Sequence, residues 1–264
     1  MCIRDRPMPR NLRYRDRMIV TDLDQNLLGD PKALRTFIEL LRERRKSMSF
    51  AVATGRRIDS ALALMKKNEI PTPDVLISSL GTRIHYGQAL HEDDLWADHI
   101  DHEWSPRRIR QVMSRLPGIE LQDKREQTSY KNSYFYDRAE APTIDEINTL
   151  LRQEEITANV LLSFGQFLDI IPSRASKGQA VRYVAHRLDI VLDNILVAGG
   201  SGADEDMMRG NTLAVVVENR HHEELSLLPE VDRIYFAGRR HAGGILEAIE
   251  HYDFFGACKV PDTT

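Results

Sequence analysis

Short apolar runs, each bounded by glycine, serine or aspartate, recur at 18–20, 50–53, 75–77, 195–198 and 213–217, with a weaker sixth at 234–236. Runs without a polar face are what a parallel strand buried on both sides requires. Between several of them the apolar positions fall three and four apart, which predicts helices over 31–45, 57–67 and 176–187. Asp30 before Pro31 reads as an N-cap followed by a first-turn proline. Strands alternating with helices predict an open, doubly wound, Rossmann-like α/β sheet.

The pattern changes between about 85 and 168. Amphipathic helices are predicted at 105–116 and 143–155, the second opening on the capping box Thr143-Ile-Asp-Glu146. Polar strand-like pieces follow at 129–136 and 159–164, and the parallel-strand pattern resumes near Asp169. The economical reading is an α+β cap inserted over 89–168. The main domain is then split into 18–88 and 169–255, with tails at 1–17 and 256–264.

Composition narrows the class. A chain of 264 residues, 42% hydrophobic and 29% charged, holds enough apolar material for one large or two ordinary domains. Its longest apolar runs fall far short of the roughly 20 residues that cross a bilayer, so no membrane partner is expected. A net charge of −4 gives no general reason to expect nucleic-acid binding. The two cysteines, Cys2 and Cys258, offer no thiolate metal site and suit a reducing compartment such as the cytoplasm. Residues 1–18 hold six Arg and two Asp, so the remainder is more acidic than the whole. Met1-Cys2-Ile3-Arg4-Asp5 also reads as the translation of a library-primer adaptor. Residues 1–6 are therefore set aside from fold reasoning, with a native start expected upstream.

Candidate chemistry lies at strand ends. Asp22 and Asp24 flank Leu23 directly after the first strand, and alternation puts them on one side of the chain. Such a pair can hold Mg²⁺, with one carboxylate attacking phosphorus and the other moving protons. Two solvated aspartates capping a turn would give the same string. Thr54-Gly55 closes the second strand with a hydroxyl beside a glycine amide, a seat for phosphate at a helix start. Lys177 opens the helix after the cap, where an ammonium can neutralise phosphate. Val197-Ala-Gly-Gly-Ser-Gly-Ala-Asp204-Glu-Asp206 is a glycine-rich loop followed by acids. Each has an ordinary alternative: a Thr N-cap, a surface Lys, a turn with dipole-matched acids.

In this order, and with a cap after the third strand, the elements resemble the haloacid dehalogenase superfamily, and its type IIB phosphatases in particular. Whole phrases extend the resemblance: Thr21-Asp-Leu-Asp-Gln-Asn26, Ala53-Thr-Gly-Arg-Arg57, Ser78-Ser-Leu-Gly-Thr82, Lys131-Asn-Ser-Tyr-Phe-Tyr136, Ser163-Phe-Gly-Gln-Phe-Leu-Asp169 and Ala175-Ser-Lys-Gly-Gln-Ala180. Over about 18–255 they are similar to sucrose-6-phosphate phosphatases. They are closer still to the phosphatase-like C-terminal domain of bacterial sucrose-phosphate synthases.

The resemblance implies Mg²⁺-dependent hydrolysis of sucrose 6-phosphate through an aspartyl-phosphate. Asp22 would be the nucleophile and Asp24 the proton donor and acceptor. Thr54 and Gly55 would hold the phosphoryl group, Lys177 would neutralise it, and Asp22, Asp24 and Asp204 would hold the metal. Arg56, Lys131, Ser133, Tyr134 and Gln166 would face the sugar, although Tyr134 and Phe167 equally suit a core. The chain departs from the pattern at Gly200, where a metal-binding Asp is usual, at Ala203, where Asn is usual, and at Asn26, where Thr is usual. Those departures keep a second function open: a non-catalytic module of a sucrose-phosphate synthase, binding sugar phosphate or an upstream glycosyltransferase domain. A broad-specificity sugar phosphatase is a third. His99 and His102 have zinc-compatible spacing but no thiols nearby, so 91–104 is read as a polar hinge. His221-His222 is read as surface.

Overall fold

The computed structural model of the protein describes residues 15–229 and 231–258. Residues 1–6, most of the expected 1–17 tail and the end of the 256–264 tail lie outside the described residues. Every apolar run of the hydrophobic pattern becomes a strand of one sheet. Its first half comprises β1 (Arg17–Thr21), β2 (Met48–Ala53), β3 (Val75–Ser78), β4 (Arg83–Tyr86) and β5 (His91–Glu92), with helices α1 (Pro31–Arg44), α2 (Ile58–Lys67) and α3 (Asp94–Ile100).

The inserted portion carries α4 (Pro106–Met113), β6 (Ile119–Leu121), β7 (Asn132–Tyr136), α5 (Ile144–Gln153), β8 (Ala158–Ser163) and β9 (Phe167–Pro172). The chain then returns through α6 (Lys177–Leu188), β10 (Ile195–Gly199), α7 (Glu205–Met208), β11 (Leu213–Val216), β12 (Ile234–Phe236) and α8 (Ala242–His251).

The larger sheet has the order β12-β11-β10-β1-β2-β3-β4-β5. Its first six strands are parallel, and β4 and β5 add an antiparallel edge. Alternation along β1 explains its unbroken apolar run. Ile19 packs with Phe37 of α1, Met65 of α2 and Ile245 of α8, whereas Met18 and Val20 pack with Val181 of α6 and Met207 of α7 on the other face. Asp30 caps α1 as the sequence predicts, accepting from the amides of Lys32 at 2.9 Å and Ala33 at 3.1 Å.

The second sheet is antiparallel, in the order β6-β7-β9-β8, with α4 and α5 on one face over Tyr134, Leu168 and Ile170. The expected boundaries at 89 and 168 shift. Trp96 and Ile100 of α3 are buried in the core of the larger sheet, so 91–104 is no free hinge. The run 167–172 is not a returning parallel strand. It pairs antiparallel with β7 and β8, because Asp169 breaks its apolar pattern and gives it one polar face.

Candidate active site

The chain fills the sheet from β1 through β3 on one side and returns to β10 on the other. The loops after β1 and β10 therefore diverge, leaving the crevice in which doubly wound sheets take ligands. Asp22 lies there, its amide bonded to the Ala198 carbonyl at 3.1 Å. Asn26 braces this junction through its side-chain amide, which donates to Thr21 Oγ1 at 2.8 Å and to the Ala198 carbonyl at 2.9 Å. The residue that departs from the expected Thr thus ties the ends of β1 and β10 together.

Lys177 comes from across the crevice. Ser176 caps α6 by accepting from the Gln179 amide at 3.0 Å, which puts Lys177 at the first helical position. A cation there opposes the helix dipole, and two carboxylates offset that cost. Lys177 Nζ lies 3.1 Å from Asp22 Oδ1 and 2.7 Å from Asp204 Oδ1, and all three side chains are buried. The 78–82 turn packs directly beneath this helix start. Gly81 has φ +88°, and a Cβ there would fall 2.2 Å from the Ser176 carbonyl oxygen, so no larger residue fits.

Asp204 is fully engaged. Its Oδ2 accepts from the amides of Gly200 and Ser201, both at 3.0 Å, and from Ser201 Oγ at 2.9 Å. Of the two carboxylates on Lys177, Asp22 is the one that faces the cleft. Burial pushes its pKa up to about 7, and Asp204 and Asp24 add to the rise against the pull of Lys177. Burial alone would lower the Lys177 pKa, but Asp204 and Asp22 outweigh it and raise it.

Asp24 is held by Arg56 through one edge of the guanidinium, Nε donating to Oδ2 at 2.6 Å and Nη2 to Oδ1 at 2.7 Å. Arg56 Nη1 also reaches Ser60 Oγ of α2 at 3.0 Å. Thr54 is wholly buried, and its Oγ1 accepts from the Arg56 amide at 3.3 Å, while its neighbour Gly55 lines the cleft.

The cleft between the two sheets encloses about 710 Å³. Lys131 and Phe135 line it from the β7 side, whereas Tyr134 points away into the core under α4 and α5, as strand alternation demands. Tyr134 is thus a core residue, not a sugar contact. Ser133 sits beneath Lys131: Lys131 Nζ donates to Ser133 Oγ at 2.6 Å and to Asp169 Oδ1 at 3.1 Å. Gln166, Phe164 and Phe167 enter from the β8–β9 hairpin, and Asp123 and Glu126 from the loop before β7. Asp169, Ser201, Asp123 and Glu126 escaped the sequence reading. Only Asp169 left a signal, as one charge inside an apolar strand.

Among the described residues no group of three or more His, Cys, Asp or Glu side chains could hold a metal ion. His99 stacks near Trp96 with ring centroids 5.5 Å apart, and His102 pairs with Glu103. His221 is not simply surface, since its amide donates to the Gly200 carbonyl at 2.7 Å. Asp22 and the neighbouring Asp24, which line the cleft, nevertheless offer the oxygen donors that a hard divalent cation takes. Mg²⁺ needs only one or two protein carboxylates when phosphate and water complete its shell.

The family model of sucrose-6F-phosphate phosphohydrolase matches residues 15–253. The chain belongs to the sucrose-6F-phosphate phosphohydrolase family. It is 32% identical to the mannosylfructose-phosphate phosphatase of Agrobacterium fabrum, over 89% of this chain and 96% of that protein. It spans 59% of the length of plant relatives such as the probable sucrose-phosphatase 1 of Arabidopsis thaliana. The crystal structure of the Synechocystis sp. PCC6803 sucrose-phosphatase in complex with sucrose and phosphate superposes with a TM-score of 0.87 at 32% identity, covering 90% of this chain and 98% of that one. A haloacid dehalogenase subclass IIB sugar phosphatase shares the fold at a TM-score of 0.65 and 15% identity, covering 90% of this chain and 99% of that one. The α/β core with an inserted cap is therefore the type IIB haloacid dehalogenase arrangement, in a sucrose-6F-phosphate phosphohydrolase family member.

Proposed function

We propose that this chain removes phosphate from a phosphorylated disaccharide, with sucrose 6-phosphate as the foremost substrate. The carrying observation is Lys177, buried between Asp22 and Asp204 on the floor of a cleft whose opposite wall is the polar face of the cap sheet. A cleft of this size suits a disaccharide. The names of two relatives point to the same substrate class, one acting on mannosylfructose phosphate and the other crystallised with sucrose and phosphate.

In the proposed reaction Asp22 attacks phosphorus, and the bond to the sugar oxygen breaks as Asp24 gives that oxygen a proton. Water then attacks the aspartyl-phosphate, Asp24 takes the water's proton, and phosphate leaves with Asp22 restored. Lys177 offsets the charge on the transferring group, and the Gly55 amide and Thr54 shape its seat. Arg56 holds both oxygens of Asp24 and so sets the direction from which Asp24 meets the leaving oxygen. Mg²⁺, when bound, supplies further positive charge to the phosphoryl oxygens. Asp22 and the main-chain carbonyl of Asp24 would hold it, while Asp204 remains committed to Lys177 and position 200 has no side chain to offer. Lys131 and Gln166 would bind sugar hydroxyls, with Ser133, which does not line the cleft, holding Lys131 from beneath, and the cytoplasm is the proposed setting.

The test is phosphate release from sucrose 6-phosphate and from mannosylfructose phosphate across a Mg²⁺ titration, with Asp22→Asn as blank. Release by the wild type alone supports the reading, and equal rates in both proteins overturn it. Gly200 favours a second reading, a non-catalytic sugar-phosphate-binding module of a synthase with an upstream glycosyltransferase domain. Silence in the wild type, with release gained in Gly200→Asp, would select it.

A further inference from the structure

The seam between the two sheets holds a carboxylate that the proposed reaction does not use. Glu224 sits in the 221–225 turn, which is anchored by Leu225 in the core of the larger sheet. Its side chain is only 8% exposed, with a ring nitrogen of His221 at 3.4 Å. Its two oxygens serve different loops. Oε1 accepts from the amide of Gly165, at the tip of the β8–β9 hairpin, at 2.7 Å, and Oε2 accepts from the amide of Gly202 at 2.8 Å.

Both donors are glycines, the first for its backbone conformation and the second for its close surroundings. Gly165 has φ +67°, and a Cβ on Gly202 would lie 3.0 Å from the Leu162 carbonyl and 3.2 Å from Glu224 Cβ. Each loop also feeds the cleft. The hairpin contributes Ser163, Phe164 and Gln166, and the other loop contributes Ser201 and Ala203 and carries Asp204, which holds Lys177. Hydrogen bonds from amides to a shielded carboxylate are stronger than neutral ones.

We propose that Glu224 is a positioning residue, which pins the sugar-facing hairpin of the cap onto the loop that carries Asp204. The cleft thereby closes over the sugar in register with Asp22. The proposal rests on the phosphatase reading for its substrate, but its two hydrogen bonds are testable without turnover. Losing Glu224 deprives two amides of their acceptor and frees the hairpin. A sugar held by the cap then binds more weakly, while a small phosphate ester that does not reach the cap reacts as before. Arg138 and Glu223 pair across the same seam but are exposed, and such pairs contribute little, so they serve as the control.

The experiment compares wild type, Glu224→Ala, Glu224→Gln and Glu223→Ala, each checked for an unchanged thermal melt profile. Hydrogen exchange is followed by mass spectrometry on peptides covering Gly165 and Gly202, without substrate. Phosphate release is followed from sucrose 6-phosphate and from p-nitrophenyl phosphate. Both peptides should exchange about tenfold faster in Glu224→Ala, with Glu224→Gln intermediate and Glu223→Ala unchanged. KM for sucrose 6-phosphate should rise about tenfold with kcat nearly constant, and rates on p-nitrophenyl phosphate should stay within about twofold. Unchanged exchange at Gly165 in Glu224→Ala overturns the latch whatever the activities are. If faster exchange accompanies equal losses on both esters, the positioning role is overturned. Wild-type silence on both esters counts against the phosphatase reading and leaves the exchange result to decide the latch.

Discussion

Asp204 reaches Lys177 at 2.7 Å with one carboxylate oxygen, while its other oxygen is filled by two main-chain amides and a serine hydroxyl. This acid, which the sequence suggests as a metal ligand, instead fixes the lysine that faces Asp22. The pairing follows from geometry: α6 begins opposite the 200–204 loop, and a buried ammonium at a helix N-terminus needs carboxylates on its open side.

Lys177→Met should therefore be the most damaging single change in the site. It leaves Asp22 and Asp204 buried without a counter-charge, and breaking such a pairing costs about 3–5 kcal/mol. Urea denaturation should show a loss of unfolding free energy of that size at pH 8 and a smaller one at pH 5, where Asp22 holds a proton. Equal losses at both pH values would show that packing, not charge, dominates.

Asp22→Asn should act in the opposite sense. The Asp22 pKa, raised to about 7 from 3.8, means that the folded state holds a proton the unfolded chain has released. That contribution is fully present below pH 3.8 and is lost as pH rises through about 7. Above that pH, in metal-free buffer, the wild type bears an excess buried charge that asparagine removes. Thermal melts should show Asp22→Asn more stable than wild type at pH 8 by several degrees, with the gap closing toward pH 4. An unchanging gap would contradict the burial of that charge.

Much of this architecture was legible because buried parallel strands leave an unambiguous trace. The runs at 18–20, 195–198 and 213–217 could not face water on either side, and the order of Asp22, Thr54 and Lys177 at strand and helix ends fixed the crevice. The cap boundary was not legible, because β9 and β10 are both apolar and only Asp169 betrays that one of them has a polar face. The bidentate hold of Arg56 on Asp24 joins residues 32 positions apart, and Glu224 acts on main-chain amides, which no side-chain pattern encodes. Tyr134 was undecided in the sequence because an aromatic within a strand suits a core or a sugar face equally until register is known.

Arg56→Lys tests the grip on Asp24. A lysine keeps the charge but offers a point contact where the guanidinium makes two parallel bonds. Asp24 then loses its orientation, and kcat for sucrose 6-phosphate should fall about tenfold while KM changes little, given the worth of a charge-assisted bond. A pure KM effect in steady-state kinetics would place Arg56 on the sugar instead.

Tyr134→Phe separates the cap core from the cleft. Among the described residues the buried Tyr134 hydroxyl has no hydrogen-bond partner, and burial pushes its pKa well above the ordinary tyrosine value. Removing an unsatisfied buried hydroxyl should stabilise the protein by about 1 kcal/mol and leave KM for the sugar phosphate unchanged. A raised KM would put the ring in the cleft after all.

Gly200→Asp asks what the missing carboxylate costs. A Cβ at 200 would lie 3.1 Å from Val217 Cγ2, so that side chain must shift slightly and the metal-free protein should lose about 1 kcal/mol. The Gly200 amide and carbonyl keep their bonds to Asp204 and His221, because the substitution leaves the main chain in place. The new carboxylate gives a divalent cation a second acidic ligand beside Asp22, which should tighten Mg²⁺ by about 10- to 100-fold. Because ligand binding stabilises the folded state in proportion to the logarithm of free ligand over Kd, the gain is readable without turnover. The melting temperature of Gly200→Asp should climb with Mg²⁺ at concentrations that leave the wild type unmoved. Parallel Mg²⁺ responses in the two proteins would mean that the cation binds away from position 200, and that Asp22 and Asp24 hold it unaided.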